Sequence, residues 1–418
     1  MKPAKAILAP LLTALSISLS ALSASGGDDI IVAGSVKDTS GKKALAGASI
    51  VVPGSNIGTV TNRDGRFTLR IPDSIPSPGI RAEHIGYQSL YLDSETLTSS
   101  RQPLAILLTP AAKALDEVVV RGIDPRSLIE SAIDKIPLNY PSAKGRYTAF
   151  YRETIQKGSR YVGVTEAVTD IIKNHYRHRS TAGDRVKIVK GRRLMSQRGS
   201  DTIAVKIVGG PTAPVTFDIV KNEDILFSRD ELDYYDFSME TGTVIDDRPQ
   251  YVVSFKPKVK VDYPLNIGKV WIDRETHTFT RAEFALDVSD KDKATRVLLY
   301  RKPRGLKFKP QAVEFTVTYR YQDGISYLNY ISTRTRFKCD WRRRLFSSAY
   351  TASVEMVMID RLDNPTDGIA RSEAAGHRDI FYDIVDSFSD PDFWKDYNII
   401  APTESLEKAV DKLRKSPD

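Results

Sequence analysis

Residues that commonly carry chemistry are scarce in this sequence. Its 418 residues include one cysteine, Cys339, five histidines and three tryptophans. One thiol cannot close an internal disulfide, so packing and strand pairing must hold the fold. His175 and His178 in "NHYRH" stand three apart, but a zinc site takes three or four ligands. No acidic partner is placed to join them, and the stretch reads as a solvated loop. His84, His277 and His377 are isolated; His277 falls at the turn of a hairpin and His84 marks a sandwich strand. Cys339, between Lys338 and Asp340, has no histidine placed to act as its base and reads as a strand cysteine.

Motifs are missing too. There is no G-x-S-x-G nucleophile elbow, and "VGGPTAP" has glycines but no phosphate-binding lysine. "TNRDG" and "LDNPTDG" lack the full ligand spacing of a calcium loop. Asp116-Glu117 and Asp246-Asp247 are chain neighbours, and strand neighbours point to opposite faces, so neither forms an acid/base couple. The expectation is a protein that is not an enzyme, with no cofactor and no metal.

Long apolar runs are absent after the first residues. "AILAPLLTALSISLSALSA" follows Lys2 and Lys5 and precedes small residues and then Asp28 and Asp29. This reads as a signal peptide over 1–26, cleaved near Ala24 to Gly26. No cysteine follows it, which excludes lipid attachment there. No later stretch approaches the roughly 20 apolar residues of a membrane-spanning helix. The expected location is the periplasm or the periplasmic face of the outer membrane.

Net charge is +8, with two of those charges in the leading segment. Residues 27–121 balance ten basic against ten acidic side chains. The remaining charge is spread over nearly three hundred residues, whereas a nucleic-acid binder concentrates it on one face. "KGRR" (190–193) and "WRRR" (341–344) read as solvated turns and strand edges. Nucleic acid is not an expected partner.

What the sequence has in quantity is short alternating strands. In "RFTLRI" Phe67, Leu69 and Ile71 face one way and Arg66, Thr68 and Arg70 the other. Asp64-Gly65 is a hairpin signal, and repeated strands at this spacing predict a β-sandwich. The elements "GSVKD", "LAGASIVVPG", "TNRDGRFTLRIP", "EHIGYQSLYLD" and "LAILLTP" closely resemble the carboxypeptidase-regulatory-like domain, a transthyretin-like sandwich, over about residues 30–120. The resemblance implies an accessory module rather than a peptidase, of a type often placed ahead of an outer-membrane transporter. In such proteins an "LDEVVV" segment precedes a plug and a long barrel. Here too little chain follows Arg121 for about 22 strands.

The domain reading is a sandwich at 30–112, a linker at 113–124, a larger β domain at 125–375 and a helical tail at 376–418. Val118, Val119 and Val120 in the linker are expected to pair along a sheet edge, within the chain or with a partner. Asp124 caps a helix begun by Pro125, with Leu128, Ile129, Ala132, Ile133 and Ile136 on one stripe and Pro137 at its end. From Arg146 to Leu362 longer strands follow, among them "TIAVKIVGG" and "TRVLLYRK", with a helical interruption at "PVTFDIVKNEDILF". Asp323-Gly324 marks another hairpin. Thr403 caps "ESLEKAVDKLRK".

"GKVWIDRETHTFTRAEFALD" (268–287) resembles the hairpin of periplasmic lipoprotein-carrier proteins, whose half-barrel holds an acyl chain on its concave side. It is also similar to uncharacterised exported proteins that begin with the same sandwich. The fold class is therefore mainly β: the sandwich, then a larger antiparallel curved sheet, a half-barrel, with a few packed helices. Its concave face is expected to be lined by Tyr251, Val253, Phe255, Trp271, Phe284 and Leu286 and to take a lipid or acyl ligand, or a protein partner. Two alternatives are an accessory subunit of an outer-membrane transport complex, and a hydrolase whose carboxylates converge only in the fold.

Overall fold

The computed structural model describes residues 29–99, 103–111, 122–195, 206–299, 304–341, 347–388 and 397–414. Its first body is a sandwich of two sheets. One sheet joins β1 (Ile30–Asp38) to β4 (Arg66–Ile71) antiparallel and to β7 (Leu104–Leu108) parallel. The other runs β3 (Gly58–Val60), β2 (Ser49–Val51), β5 (Ile80–Glu83), β6 (Leu90–Leu92). The alternation of "RFTLRI" decides the packing: Phe67, Leu69 and Ile71 are buried with Val32, Val36, Ile50 and Ile80 between the sheets. Each such side chain contributes roughly 1.5–3 kcal/mol on burial. Gly34 is required where β1 crosses the Phe67 ring, because a Cβ there would lie 2.7 Å from the ring.

The second body is one open sheet of ten antiparallel strands. The chain first lays down β8 (Gly145–Lys157), β9 (Arg160–Lys173) and β10 (Arg185–Met195). It then crosses to the far edge, β11 (Tyr235–Ile245). From there it returns through β12 (Arg248–Pro257), β13 (Asn266–Asp273), β14 (Phe279–Leu286), β15 (Leu306–Gln322), β16 (Ile325–Trp341) and β17 (Ser348–Asp363). β17 pairs with β8, so the order is β10-β9-β8-β17-β16-β15-β14-β13-β12-β11 and the sheet is not closed into a barrel. Side chains from β10 (Val186, Ile188) to β11 (Tyr235) share one cluster, so the sheet wraps around it.

That cluster fills the hollow side. The helix Pro125–Asp134 forms as its stripe predicts, with Asp124 accepting from the Ser127 N–H, and it buries Leu128, Ile129, Ala132 and Ile133. Pro137 belongs to a further short turn of helix, Ile136–Asn139. The crossing segment before β11 adds Val215, Ile219, Val220, Leu226, Phe227 and Leu232. Of the expected 214–227 helix only Pro214 and Val215 are helical, at the end of the short turn Thr212–Val215. Arg179 explains the rest: its guanidinium donates to the carbonyls of Ile219, Val220, Leu226 and Phe227, at 2.8–3.2 Å. Carbonyls held by a side chain leave the segment folded without a helix's own ladder.

Two expected strands differ. In "TRVLLYRK" residues 295–298 end the helix Lys291–Leu298, because Asp290 caps it by accepting from the N–H groups of Asp292 and Lys293. In "TIAVKIVGG" the described residues 206–210 form no strand.

The sandwich sits on the outer face of the large sheet. Val60 packs there with Phe150, Val168, Val357, Ile359 and Ile400. Residues 397–402 stitch the two bodies together. Asn398 bonds the Arg70 N–H at 2.5 Å and carbonyl at 3.0 Å, Ile399 bridges to Thr68, and Asn62 donates to Ala401 and Pro402. Arg152 of β8 donates to the Ile400 carbonyl at 2.8 Å and ion-pairs with Glu166, which also holds Arg192. The helix Glu404–Arg414, capped by Thr403, then lays Leu406 and Val410 on Val164.

Candidate functional site

Strand lengths create the site. β12, β13 and β14 have 10, 8 and 8 residues, but β15, β16 and β17 have 17, 17 and 16. β14 pairs with β15 only at Glu314–Thr318, so residues 306–313 overhang it. Three rows at the overhang and its border face the concave side: Phe308, Val313 and the bordering Phe315; Thr333, Thr335 and Phe337; Ala352 and Val354. The crossing segment (Ile207, Val208, Ala213, Pro214, Phe217) and the helix Lys291–Leu298 form the facing walls. Between them lies a cavity of about 680 Å³. Pockets that take drug-sized ligands run from roughly 300 to 1,000 Å³ with mainly apolar walls.

The six side chains expected to line the concave face are distributed differently. Val253, Phe255 and Phe284 are fully packed in the core, Phe255 edge-on to Phe227 and Phe284 stacked on Phe315 at 4.8 Å. Tyr251 is half-buried beside His277 and under Arg274, and Leu286 is half-buried at its strand end. Trp271 does not join Phe284. The register pairs Trp271 with Arg281 and Val270 with Ala282, so Trp271 looks out of the other face, with Arg281 over its ring. None of the six lines the cavity, and only Phe284 approaches it, through Phe315. Val253, Phe255 and Phe284 lie in the filled part of the trough, whereas the cavity lies at the overhang. The signal available was strand length, together with Phe315 sharing a face with Val317 and Tyr319. Val118, Val119 and Val120 lie outside the described residues.

A charged cluster anchors the crossing segment beneath the sheet. Asp218, fully buried, accepts from Tyr176 at 2.8 Å and Tyr319 at 2.7 Å and pairs with Lys173 at 3.0 Å. Asp184 pairs with Lys173 at 3.3 Å and with Lys221, which also donates to the Asn174 carbonyl. Burial opposes ionisation of Asp218, but Lys173 and the two tyrosines outweigh it and hold the carboxyl below its usual range. Burial and the neighbouring Lys173 push the Lys221 ammonium down to about 8. Acids and bases balance here, so the cluster is a buried clasp.

A second, polar cleft of about 70 Å³ opens between sandwich and sheet. Asp246 and Asp247 are not on a strand: both take positive φ, 52° and 55°, at the β11–β12 turn. Both therefore reach Arg81 of the sandwich, Asp246 at 2.6 Å and Asp247 at 3.0 Å. Burial and the adjacent Asp246 raise Glu83 to about 8. Asp273 lines the same cleft; burial opposes its charge, yet Arg248 and Thr276 hold it below the usual range. Its enclosed part admits only a few waters, so a larger molecule would lie across its open mouth.

Elsewhere, burial raises the Cys339 thiol to about 11, away from a reactive thiolate. The His175 and His178 rings meet edge to face at 5.4 Å. Among the described residues no cluster of three or more His, Cys, Asp or Glu side chains could hold a metal ion, and no helix is long and apolar enough to cross a membrane.

Comparison with known proteins bears on the first body. No curated protein matches the chain. Among solved structures, the crystal structure of a DUF1329 family protein from Desulfovibrio piger aligns at 12% identity. The alignment covers 59% of this chain and 96% of that one, and its TM-score of 0.24 carries no argument about fold. The family model described as CarboxypepD_reg-like domain, a non-catalytic type of domain, matches residues 32–120.

Proposed function

We propose that this is an exported, non-catalytic envelope protein whose sandwich docks on an envelope partner and whose long-stranded overhang holds a lipid-like ligand. The observation that carries the reading is the apolar cavity of about 680 Å³ against β15–β17. A hollow of that size with phenylalanine, valine and leucine walls suits a hydrocarbon chain, which needs few polar anchors. The N-terminal apolar segment supports export, and the regulatory-like domain supports a docking role. Native mass spectrometry of the full chain purified from its host should show added mass that organic extraction releases as lipid. Ala352→Phe, which places a ring in the cavity, should lose that mass. Wild-type protein that carries none, and takes up no added sixteen-carbon chain, overturns the reading.

A second reading, a hydrolase, draws on the interdomain cleft, where Glu83 is held protonated near neutrality and Asp273 ionised. Carboxylates in separated environments are what acid/base catalysis requires. Turnover of chromogenic esters or glycosides that Glu83→Gln abolishes would favour it; equal turnover in both proteins removes it.

A further inference from the structure

The cavity against β15–β17 is apolar except at its rim and along one strand row. Among its described lining residues the ionisable side chains are Lys206 and Arg296; both are cations, and the lining itself includes no carboxylate. Thr333 and Thr335 add hydroxyls on β16, each able to donate one hydrogen bond. A wall of this kind offers donors and positive charge to a head group and hydrocarbon to a tail. A cationic head would be repelled there, and a neutral one would use only the hydroxyls.

Both rim cations have partners within the protein, yet each keeps donors free for a ligand. Lys206, about 40% exposed, pairs with Asp383 at 2.5 Å and sits 5.5 Å above the Tyr382 ring. An exposed pair of this sort is weak, so a second anion can share the ammonium's three donors. Arg296 stands in the last turn of its helix and gives Nη2 to the Asp262 carbonyl at a long 3.3 Å. A guanidinium has five donors in a fork that fits carboxylate or phosphate. Beside it Val297 is 59% exposed and also lines the cavity, an apolar side chain at the mouth.

We infer that the cavity takes a long-chain amphiphile with one acidic head, a carboxylate or a phosphate, its tail along Phe308, Phe315 and Phe337 and its head at Lys206 and Arg296. This rests on the proposal that the cavity holds a lipid-like ligand, and adds the chemistry of its head. The tail is bound by area removed from water, which is indifferent to charge. The head is bound by charge-assisted hydrogen bonds, which salt weakens.

Displacement of the uncharged fluorescent probe N-phenyl-1-naphthylamine from the full chain separates these terms. Hexadecanoate or hexadecyl phosphate should displace it at about ten-fold lower concentration than hexadecanol at low salt, the ratio expected of one charge-assisted hydrogen bond. Comparing the two acids identifies the head. The advantage should shrink to about two-fold or less in a Lys206→Ala, Arg296→Ala double variant, whose altered side chains are at the surface and leave the core intact. Hexadecanol matching both acids, or an acid advantage that survives the double variant, overturns the inference while leaving the cavity reading in place. Failure of all three chains to compete, with Ala352→Phe binding the probe as wild type does, removes the cavity reading as well.

Discussion

The two bodies solve the problem of filling a β structure in different ways. The sandwich closes sheet on sheet, and its core from Val32 to Leu108 is apolar. The wrapped sheet has no second sheet to meet. It swallows a helix, a crossing segment and the turns around Phe381 and Val385 instead. Irregular backbone brings polar groups inside with it, and those must find partners. The Arg179 fork and the Asp218 clasp are those partners. Where the filling stops short of the strands' ends, the cavity remains. A closed sandwich leaves nothing over; a plugged trough leaves a remainder, and there the ligand is proposed to bind.

The largest test of this contrast is Asp218→Ala. It leaves two tyrosine hydroxyls without their acceptor and Lys173 with Asp184 alone, and should cost roughly 3–5 kcal/mol, as breaking a buried ion pair does. Chemical denaturation reads it. A loss under about 1 kcal/mol would mean the crossing segment is held by apolar packing alone, and the contrast with the sandwich would fail.

Next is the buried carboxyl of Glu153, which burial raises to about 7 although Tyr151 donates to it at 2.9 Å. Its folded value lies above its ordinary value of 4.5, so folding takes up a proton between the two. Stability from this group is fully present below about pH 4.5, falls as pH rises toward 7, and changes no further above that. The fall is at most ~3 kcal/mol. Glu153→Gln should flatten that part of the stability–pH curve, read as the midpoint of denaturation from pH 4.5 to 8. An unchanged slope would show that the interior tolerates the charge.

The smallest effect belongs to the stitch between the bodies. Asn398→Ala removes both bonds to Arg70 and should cost about 1–2 kcal/mol at typical values per hydrogen bond. Its mark should be a sandwich that unfolds ahead of the large sheet, seen as two steps rather than one in calorimetry. A single transition shifted as a whole would mean the outer-face apolar contacts couple the bodies by themselves.

Much of this was legible in the sequence because strand and helix periodicity are local. Phe67, Leu69 and Ile71 announced their face, Asp124-Pro125 announced a helix start, and Asp64-Gly65 and Asp323-Gly324 announced turns. The site was less legible because it depends on register and on non-local partners. Trp271 was assigned to the wrong face because its strand's pairing with Arg281 is not written in its own alternation. The 214–227 segment reads as helical until Arg179, more than thirty residues earlier, takes its carbonyls. Asp246-Asp247 looked like strand neighbours until the turn placed them at the tip, where one arginine gathers both. The cavity is a difference between strand lengths, and only the assembled sheet displays it.

The pairing of β8 with β17 joins stretches of chain about two hundred residues apart. Until β17 exists, β8 presents a bare ladder of N–H and C=O groups on that side, and so does β16, the last strand of the meander begun at β11. Such distant pairings make folding slow and leave unfinished edges open to other chains. A growing copy therefore carries its greatest hazard of sticking to its neighbours shortly before completion, and a chaperone that shields extended backbone would be needed most at that moment.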